Sequence, residues 1–446
     1  MPGPLFQIAR TGAAAARASI ELTAQNIANA NNPDYARRAL LTRELVGVSS
    51  ISPGVLSGVR IDGVARNDSA IVQQQARLAA GGLARADAEL TALRNTELAL
   101  EQSRLFDGLV EFEAVLTGLE GNPLEPALRT NALESARQLA ATFRFADDTL
   151  GTARRQVQDA AMAGLDEVNR QAAELARINQ SIVNTREGTS GRAALLDARD
   201  AALRALAEEV GIEASFDERG GVSVRLTDAS GAAGPVLVDG ASSATLAATI
   251  ESDGTLTFAL GASGFAPASG ALAGHAAALE AQAGYQLRLD EVAAETIARA
   301  NAAQASGADA DGAPGQALFA GTRAADIELA LTSGRQLATA PAGSGAGSTD
   351  TANLAALVAS LGAADGPVAR TDTLLLELSS RIAAQDVTRS GLAAIAENAQ
   401  ATLLSETGVD LDTEAVALVR LQQAFEANSR VLQVASDIFD TLLALR

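Results

Sequence analysis

The stretch LDTEAVALVRLQQAFEANSRVLQVASDIFDTL, residues 411–442, decides how this chain is read. Leu411, Leu418, Leu421, Phe425, Leu432, Ala435, Phe439 and Leu442 keep a stepping of three and four, broken by polar residues only at Glu414 and Asn428. That is the seam of a coiled-coil helix. A second row, Ala424, Val431, Ile438 and Leu445, runs beside it and widens the apolar face beyond what one partner helix covers. Taken alone, the stripe suits an ordinary bundle helix as well as an assembly surface.

The opposite end repeats the rhythm. Leu5, Ile8, Gly12, Ala15, Ser19, Leu22 and Asn26 fall on the same stepping, followed by Ile27, with small residues where a partner helix must come close. Asn31, Asn32 and Pro33 close this first helix, because the residue before a proline is pushed out of helical geometry. Gly408, Asp410 and Asp412 supply N-cap candidates for the last helix. If the two ends pair, everything between them is an insertion. The molecule is then elongated, with its ends together at one pole.

Composition narrows the chemistry. The 446 residues exceed what one hydrophobic core usually supports, which predicts two to four domains. There is no cysteine, tryptophan or lysine, so all 34 basic residues are arginine. Thiolate nucleophiles, disulfides, zinc–cysteine sites, Schiff-base lysines and the phosphate-loop lysine are excluded. A net charge of −20 makes nucleic acid a poor partner. Arg10 and Arg17 interrupt the alanine-rich start, so no segment of signal-peptide type is expected, and no window reaches the roughly twenty apolar residues of a bilayer span. On these grounds alone the chain reads as soluble and cytoplasmic, without membrane insertion, unless export uses a channel that needs no cleaved signal.

Along the chain, residues 36–67 read as an extended connector with a turn at Ser52-Pro53-Gly54. Long helices are expected over 69–119, weakened at Gly81 and Gly82, and over 124–184, packed antiparallel as a rod. After Gly211 the period changes to two: Ile212–Phe216 with Val222–Leu226, and Leu246–Ile250 with Leu256–Leu260, predict two hairpins. Helix returns over 270–305 with Leu279, Leu287, Val292 and Ile297 inward. A strand pair is expected between 327–331 and 336–339, and a mobile low-complexity loop over 341–348. The domain reading is a terminal helical assembly unit of residues 1–60 plus 400–446, a long-helix rod of 61–210 plus 269–399, and an inserted antiparallel β domain of 211–268.

No constellation of catalytic residues emerges, and no metal or cofactor is expected. His275 is the single histidine and lacks a local carboxylate arrangement that would mark a general base. Asp309, Asp311 and Gly312 imitate part of a calcium loop, yet Leu318 stands where its bidentate glutamate belongs. Gly343, Gly345 and Gly347 lack the strand and helix of a dinucleotide fingerprint. The carboxylate pairs Asp197/Asp200 and Glu208/Glu209 suit solvated helix faces as well as acid–base work. Asn26 and Asn428 stand in the two apolar seams, where a buried asparagine costs stability and fixes register, or else faces solvent or the channel of an assembly.

Asn26-Ile27-Ala28-Asn29-Ala30-Asn31-Asn32-Pro33-Asp34-Tyr35 resembles the asparagine-rich signature of bacterial flagellar rod, hook and hook-associated proteins. Gly408-Val409-Asp410-Leu411-Asp412, Leu421–Arg430 and Phe439–Leu443 resemble the tail of the hook-associated protein 1 family, which joins hook to filament. Leu195–Asp200 before Val210-Gly211, and Ala300–Gly321 with its Phe319 and Gly321, are similar to interior segments of the same family.

The resemblance implies a mainly α fold with a small β-rich insertion, elongated, in flagellin-like discontinuous domains whose terminal helices pair in a coiled coil. It implies a non-enzymatic adaptor, exported by the flagellar type III apparatus to the extracellular flagellum. Its partners would be like subunits in a ring, hook protein, the neighbouring junction protein on the filament side and an export chaperone. The expected assembly interface is Leu5, Ile8, Ala15, Leu22, Asn26, Ile27, Leu418, Leu421, Phe425, Asn428, Leu432, Phe439 and Leu442, with Phe425, Leu432 and Phe439 also covered by the chaperone. Hook protein or another axial protein is the nearest alternative; a carbohydrate-binding appendage protein is a more distant one.

Overall fold

The computed structural model describes residues 4–49 and 52–444. Its first helix, α1 (Pro4–Ala28), is followed by a two-stranded antiparallel ribbon, β1 (Arg38–Ser49) and β2 (Ser52–Arg66). The stretch expected as an extended connector is therefore a hairpin. Ser52 and Pro53 pair across it with Ser49 and Val48, so they belong to the paired part of the ribbon and not to a turn.

Four helices follow: α2 (Ala70–Ser103), α3 (Leu105–Glu120), α4 (Pro126–Asn184) and α5 (Ser190–Glu209). The expected single helix over 69–119 is broken at Arg104, which sits in the left-handed region at φ 55°, and not at Gly81-Gly82, which stay helical. Gly121-Asn122-Pro123 ends α3, and Pro126 opens α4 at a first-turn position where its missing N–H costs nothing. The 59 residues of α4 span about 90 Å at 1.5 Å per residue. The whole chain exposes 22176 Å², against about 16,000 Å² for a compact protein of its mass, so the molecule is long and thin.

Seven strands stand between α5 and the next helix. The four-stranded sheet holds β3 (Ile212–Phe216), β4 (Val222–Thr227), β5 (Ala233–Asp239) and β6 (Ser242–Ser243); the three-stranded sheet holds β7 (Leu246–Ile250), β8 (Leu256–Leu260) and β9 (Ser263–Phe265). The expected hairpins are β3–β4 and β7–β8. Val224, Leu226, Val238, Leu246 and Phe258 close a core against Leu165, Val168 and Leu175 of α4 and Leu203 and Leu206 of α5. The chain enters and leaves this insertion side by side, since Gly211 N–H donates to the Ser269 carbonyl at 2.9 Å.

Helix α6 (Ala271–Ala305) returns along α2 and α4. It buries Leu279, Leu289, Val292, Ala293 and Ile297, while Leu287, expected inward, is 65% exposed because it falls off that face. Short strands β10 (Gly307–Ala308), β11 (Phe319–Ala320), β12 (Glu328–Leu329) and β13 (Ala340–Pro341) come next. The expected pairing between 327–331 and 336–339 does not form: β12 pairs with β11, and β13 with β10. Arg129, buried on α4, organises this region by donating to the carbonyls of Pro123, Gly334 and Leu337 and to Thr339 Oγ1. The tract over 341–348 is largely exposed and is tied back by the Gly347 N–H on the Ala310 carbonyl at 3.0 Å. Asp311, in the loop that imitates a calcium site, pairs with Arg335.

Three helices complete the chain: α7 (Ala352–Leu361), α8 (Pro367–Thr407) and α9 (Leu411–Ala444). The larger core joins α2, α3, α4, α6, α7 and the first half of α8, with Phe112 and Phe319 edge-to-face at 6.1 Å. From Arg381 onward, α8 lies on α2 through ion pairs, Arg381–Glu89, Arg389–Asp87 and Arg94–Asp386, with little apolar burial beyond Ile382. Neither α1 nor α9 contributes to these cores. Among the described residues no helix is long and apolar enough to cross a membrane.

Candidate assembly interface

The two ends of the chain meet: α9 lies along α1 for most of its length. Asp410 caps α9, its Oδ1 accepting the Thr413 N–H at 2.7 Å, as the sequence predicts for this position. Gly12 marks the closest approach of the pair. A Cβ there would stand 2.6 Å from Asn428 Oδ1, so any larger residue displaces the asparagine side chain from its present rotamer. Asn428 in turn donates to the Ala424 carbonyl of its own helix at 2.8 Å. Its side chain is half-buried against α1, not free in solvent.

The expected interface residues divide by burial. Ala15, Leu22 and Asn26 are buried within this chain; Ile8, Ile27, Leu418, Leu421, Asn428 and Leu432 are half-buried; Leu5, Phe425 and Phe439 are exposed. The Leu442 side chain and all of Leu445 lie outside the described residues. Among the described residues of α9, Glu414 alone is fully buried, so the helix is seated on α1 by a shallow seam.

On the far side of α9 the pattern is different from the seam expected. Val416, Val419, Val431, Val434 and Ile438 are all exposed, and at 100° per residue they fall on one face, turned away from the seam that meets α1. The helix thus carries exposed apolar side chains on its far side as well, interspersed there with the exposed Arg420, Gln423 and Arg430, while α1 covers the near side.

The root of the pair is polar. Asn26, 1% exposed, accepts at Oδ1 from Tyr35 O–H (2.8 Å) and Arg38 N–H (3.0 Å), and donates from Nδ2 to the Arg38 carbonyl (2.9 Å) and Glu414 Oε2 (3.1 Å). All of its hydrogen-bonding capacity is engaged, which overturns the solvent-facing alternative and makes it unavailable to a neighbour. Glu414 Oε1 meets Arg37 Nε at 2.6 Å, and the Arg37 N–H donates to the Thr407 carbonyl at the end of α8. From Arg38 the network continues to Asp197 (2.6 Å), shared with Arg66, and through Arg66 to Asp200, which also holds Arg199 and Gln73. Asp197 and Asp200 are therefore buried anchors and not solvated helix faces. Burial drives the Tyr35 pKa upward, with Arg38 opposing and Asp197 and Glu414 adding to the rise. The Arg38 guanidinium lies 4.6 Å from the Tyr35 ring centre, a cation–π contact.

Sequence reasoning singled out Asn26 but treated Glu414 as an interruption of the seam. The available signal was that each seam carries a polar residue near the same end. Arg37, Arg38 and Arg66 gave no signal, since partners more than a hundred residues away leave no periodic trace.

A groove of about 900 Å³ lies between α2, α5, α6 and α8, lined by Leu83, Ala84, Glu209, His275, Ala401 and Leu404. Burial pulls the His275 pKa down, and its Nδ1 has no partner among the described residues. Glu209 is shifted upward by burial and by Glu208. The arrangement offers apolar contact and fixed charge, suited to binding another chain.

Comparison with known proteins agrees with this architecture. Residues 94–319 match the family described as flagellar hook-associated protein FlgK helical domain, and residues 400–445 match flagellar basal body rod FlgEFG protein C-terminal. Flagellar hook-associated protein 1 of Escherichia coli (strain K12) and that of Salmonella typhimurium are each 27% identical over 249 residues, 55% of this chain and 44% of theirs. The match thus spans less than half the length of these curated relatives. The structure of the flagellar hook junction protein FlgK from Burkholderia pseudomallei superposes with a TM-score of 0.49 at 22% identity, over 55% of this chain and 46% of that one. With the helical-domain match extending over half of its residues, the chain belongs to the flagellar hook-associated protein FlgK family.

Proposed function

We propose that this chain is a structural subunit of the bacterial flagellum, joining hook to filament through its terminal helices and carrying no catalytic role. The observation that carries the reading is the set of large apolar side chains on the far side of α9, Val416, Val419, Val431, Val434 and Ile438, left open after α1 covers the seam. Ordering 34 residues costs about 1 to 2 kcal/mol each in backbone entropy, and a helix with no fully buried apolar side chain among its described residues recovers little of that alone. Neighbouring copies, hook protein on one side and the next junction protein on the other supply the missing burial. In this reading residues 1–60 and 400–446 form the assembly unit, 61–210 and 269–399 the rod, and 211–268 an outward insertion.

The subunit reaches the outside of the cell through the flagellar export apparatus, with a chaperone over Phe425, Leu432 and Phe439 before assembly. Leu432 is half-buried against α1, so such a chaperone takes α9 only when it is off α1. The test is the double substitution Val434→Asp, Ile438→Asp. The purified chain keeps its unfolding midpoint, because neither side chain touches the body, while a strain carrying it loses its filaments. Normal filaments in that strain would refute the proposal.

A further inference from the structure

The junction below the terminal pair holds one guanidinium more than its carboxylates can neutralise. Arg37, Arg38, Arg66, Arg199 and Arg204 each pair with a carboxylate. Arg77, on α2, does not. It is 9% exposed, and among the described residues it donates no hydrogen bond and has no carboxylate within 4.0 Å. Asp200, the carboxylate nearest in effect, already serves Arg66, Arg199 and Gln73. Arg38 Nε, close by in the same network, is a fully buried donor without an acceptor among the described residues.

Arg77 borders a cavity of about 50 Å³ that Tyr35, Arg66, Gln73 and Arg204 also line, together with the carboxylates Asp200 and Asp34, which pair with Arg66 and Arg204. The space holds more than a single water. Water would satisfy the donors but leave the charge, and an uncompensated buried guanidinium is costly. An anion satisfies both. On a chain of net charge −20 the long-range field repels anions, so a site that retains one must be built from desolvated arginines at close range.

We propose that this cavity binds one small inorganic oxyanion of the phosphate or sulfate class, with Arg77 as the principal ligand and Arg66 and Arg204 facing it. The planar fork of arginine matches two oxygens of a tetrahedral ion. The cavity is walled by the Tyr35 loop and by Leu403 and Thr407 of α8, beside the Arg37–Glu414 root of α9. Occupancy therefore ties the terminal pair more firmly to the body.

Equilibrium dialysis of the full chain against radiolabelled inorganic phosphate and sulfate, at fixed ionic strength and pH 7, reads the site directly. One ion per chain is expected, with binding at least about tenfold weaker in Arg77→Met. Thermal unfolding in phosphate against chloride at matched ionic strength gives the second readout. Phosphate raises the midpoint of the parent chain more than that of the variant, which removes the general salting effect shared by both. Should Arg77→Met fail to fold, Arg77→Lys keeps the charge without the fork and binds several-fold more weakly. Absence of stoichiometric binding, or equal binding by the parent and whichever variant folds, overturns the proposal.

Discussion

Replacing Asn26 by alanine removes four hydrogen bonds from a position that is 1% exposed. Three of them, to the Tyr35 hydroxyl and to the Arg38 N–H and carbonyl, are neutral and contribute about 1 kcal/mol each; the fourth, to the Glu414 carboxylate, contributes about 1.5 to 3 kcal/mol. Arg37 still holds Glu414, and water entering the vacated space recovers part of the loss, so a net cost of about 3 kcal/mol is expected. That raises the local opening equilibrium about a hundredfold, at roughly 1.4 kcal/mol per decade. Because Asn26 ties α1 to the ribbon root and to the start of α9, the effect should be confined there. Amide hydrogen exchange by mass spectrometry is the assay, comparing Tyr35–Ala39 and Leu411–Leu418 with the middle of α4. The first two segments should exchange up to about a hundredfold faster in Asn26→Ala, while the peptide around Phe143 is unchanged. A change below about threefold at both roots, or equal acceleration in α4, would refute the reasoning.

Two further outcomes follow from other contacts. Gly12→Ala places a methyl group against Asn428; the gain of about 1 kcal/mol in helix propensity is offset by displacing the asparagine, so the single change is near neutral in thermal unfolding of α1, whereas Gly12→Ala with Asn428→Ala is stabilising by up to about 1 kcal/mol. A double variant no more stable than Gly12→Ala alone would show that the two side chains do not compete. Glu209 has a folded-state pKa raised above its unfolded value, so its contribution to stability is fully present below the ordinary glutamate pKa of about 4.5 and is lost as pH rises through the folded value. Glu209→Gln should therefore stabilise the chain at pH 7, on the order of 0.5 kcal/mol after screening at the groove mouth, and have no effect at pH 4; a stabilisation that persists at pH 4 contradicts this.

The terminal helices were legible because an apolar stepping of three and four survives any tertiary context, and Gly12 and Asp410 mark the close approach and the cap. The β hairpins β3–β4 and β7–β8 were legible from alternation. β5 was not, since Gly234 and Pro235 hide a strand inside a tract of small residues. The ribbon was missed for a related reason: Ser52, Pro53 and Gly54 look like a turn yet lie within β2, where irregular pairing tolerates them. Leu287 shows the limit of reading leucines as core, because the buried face of α6 is set by Leu289, Val292 and Ala293 and passes it by. At the candidate interface, Asn26 was visible as a polar residue in an apolar row. Its partners were not, because Arg37, Asp197 and Arg66 meet through folding alone and no local pattern joins them.

The adjacency of Gly211 and Ser269 has a practical meaning for changing this molecule. Because the peptide departs from the long helices and rejoins them at one spot, foreign sequence spliced into the outer turn at Gly231, where a side chain would meet nothing within 4 Å, should hang clear of the shaft, whereas the turn at Gly240 is held on α4 by Asn179 Nδ2 at 2.8 Å. Excising the whole module is another matter: Leu165, Val168 and Leu175 would be stripped bare in mid-shaft. Natural variants in this lineage should accordingly lengthen at that outer turn far more readily than they dispense with the sheets beneath.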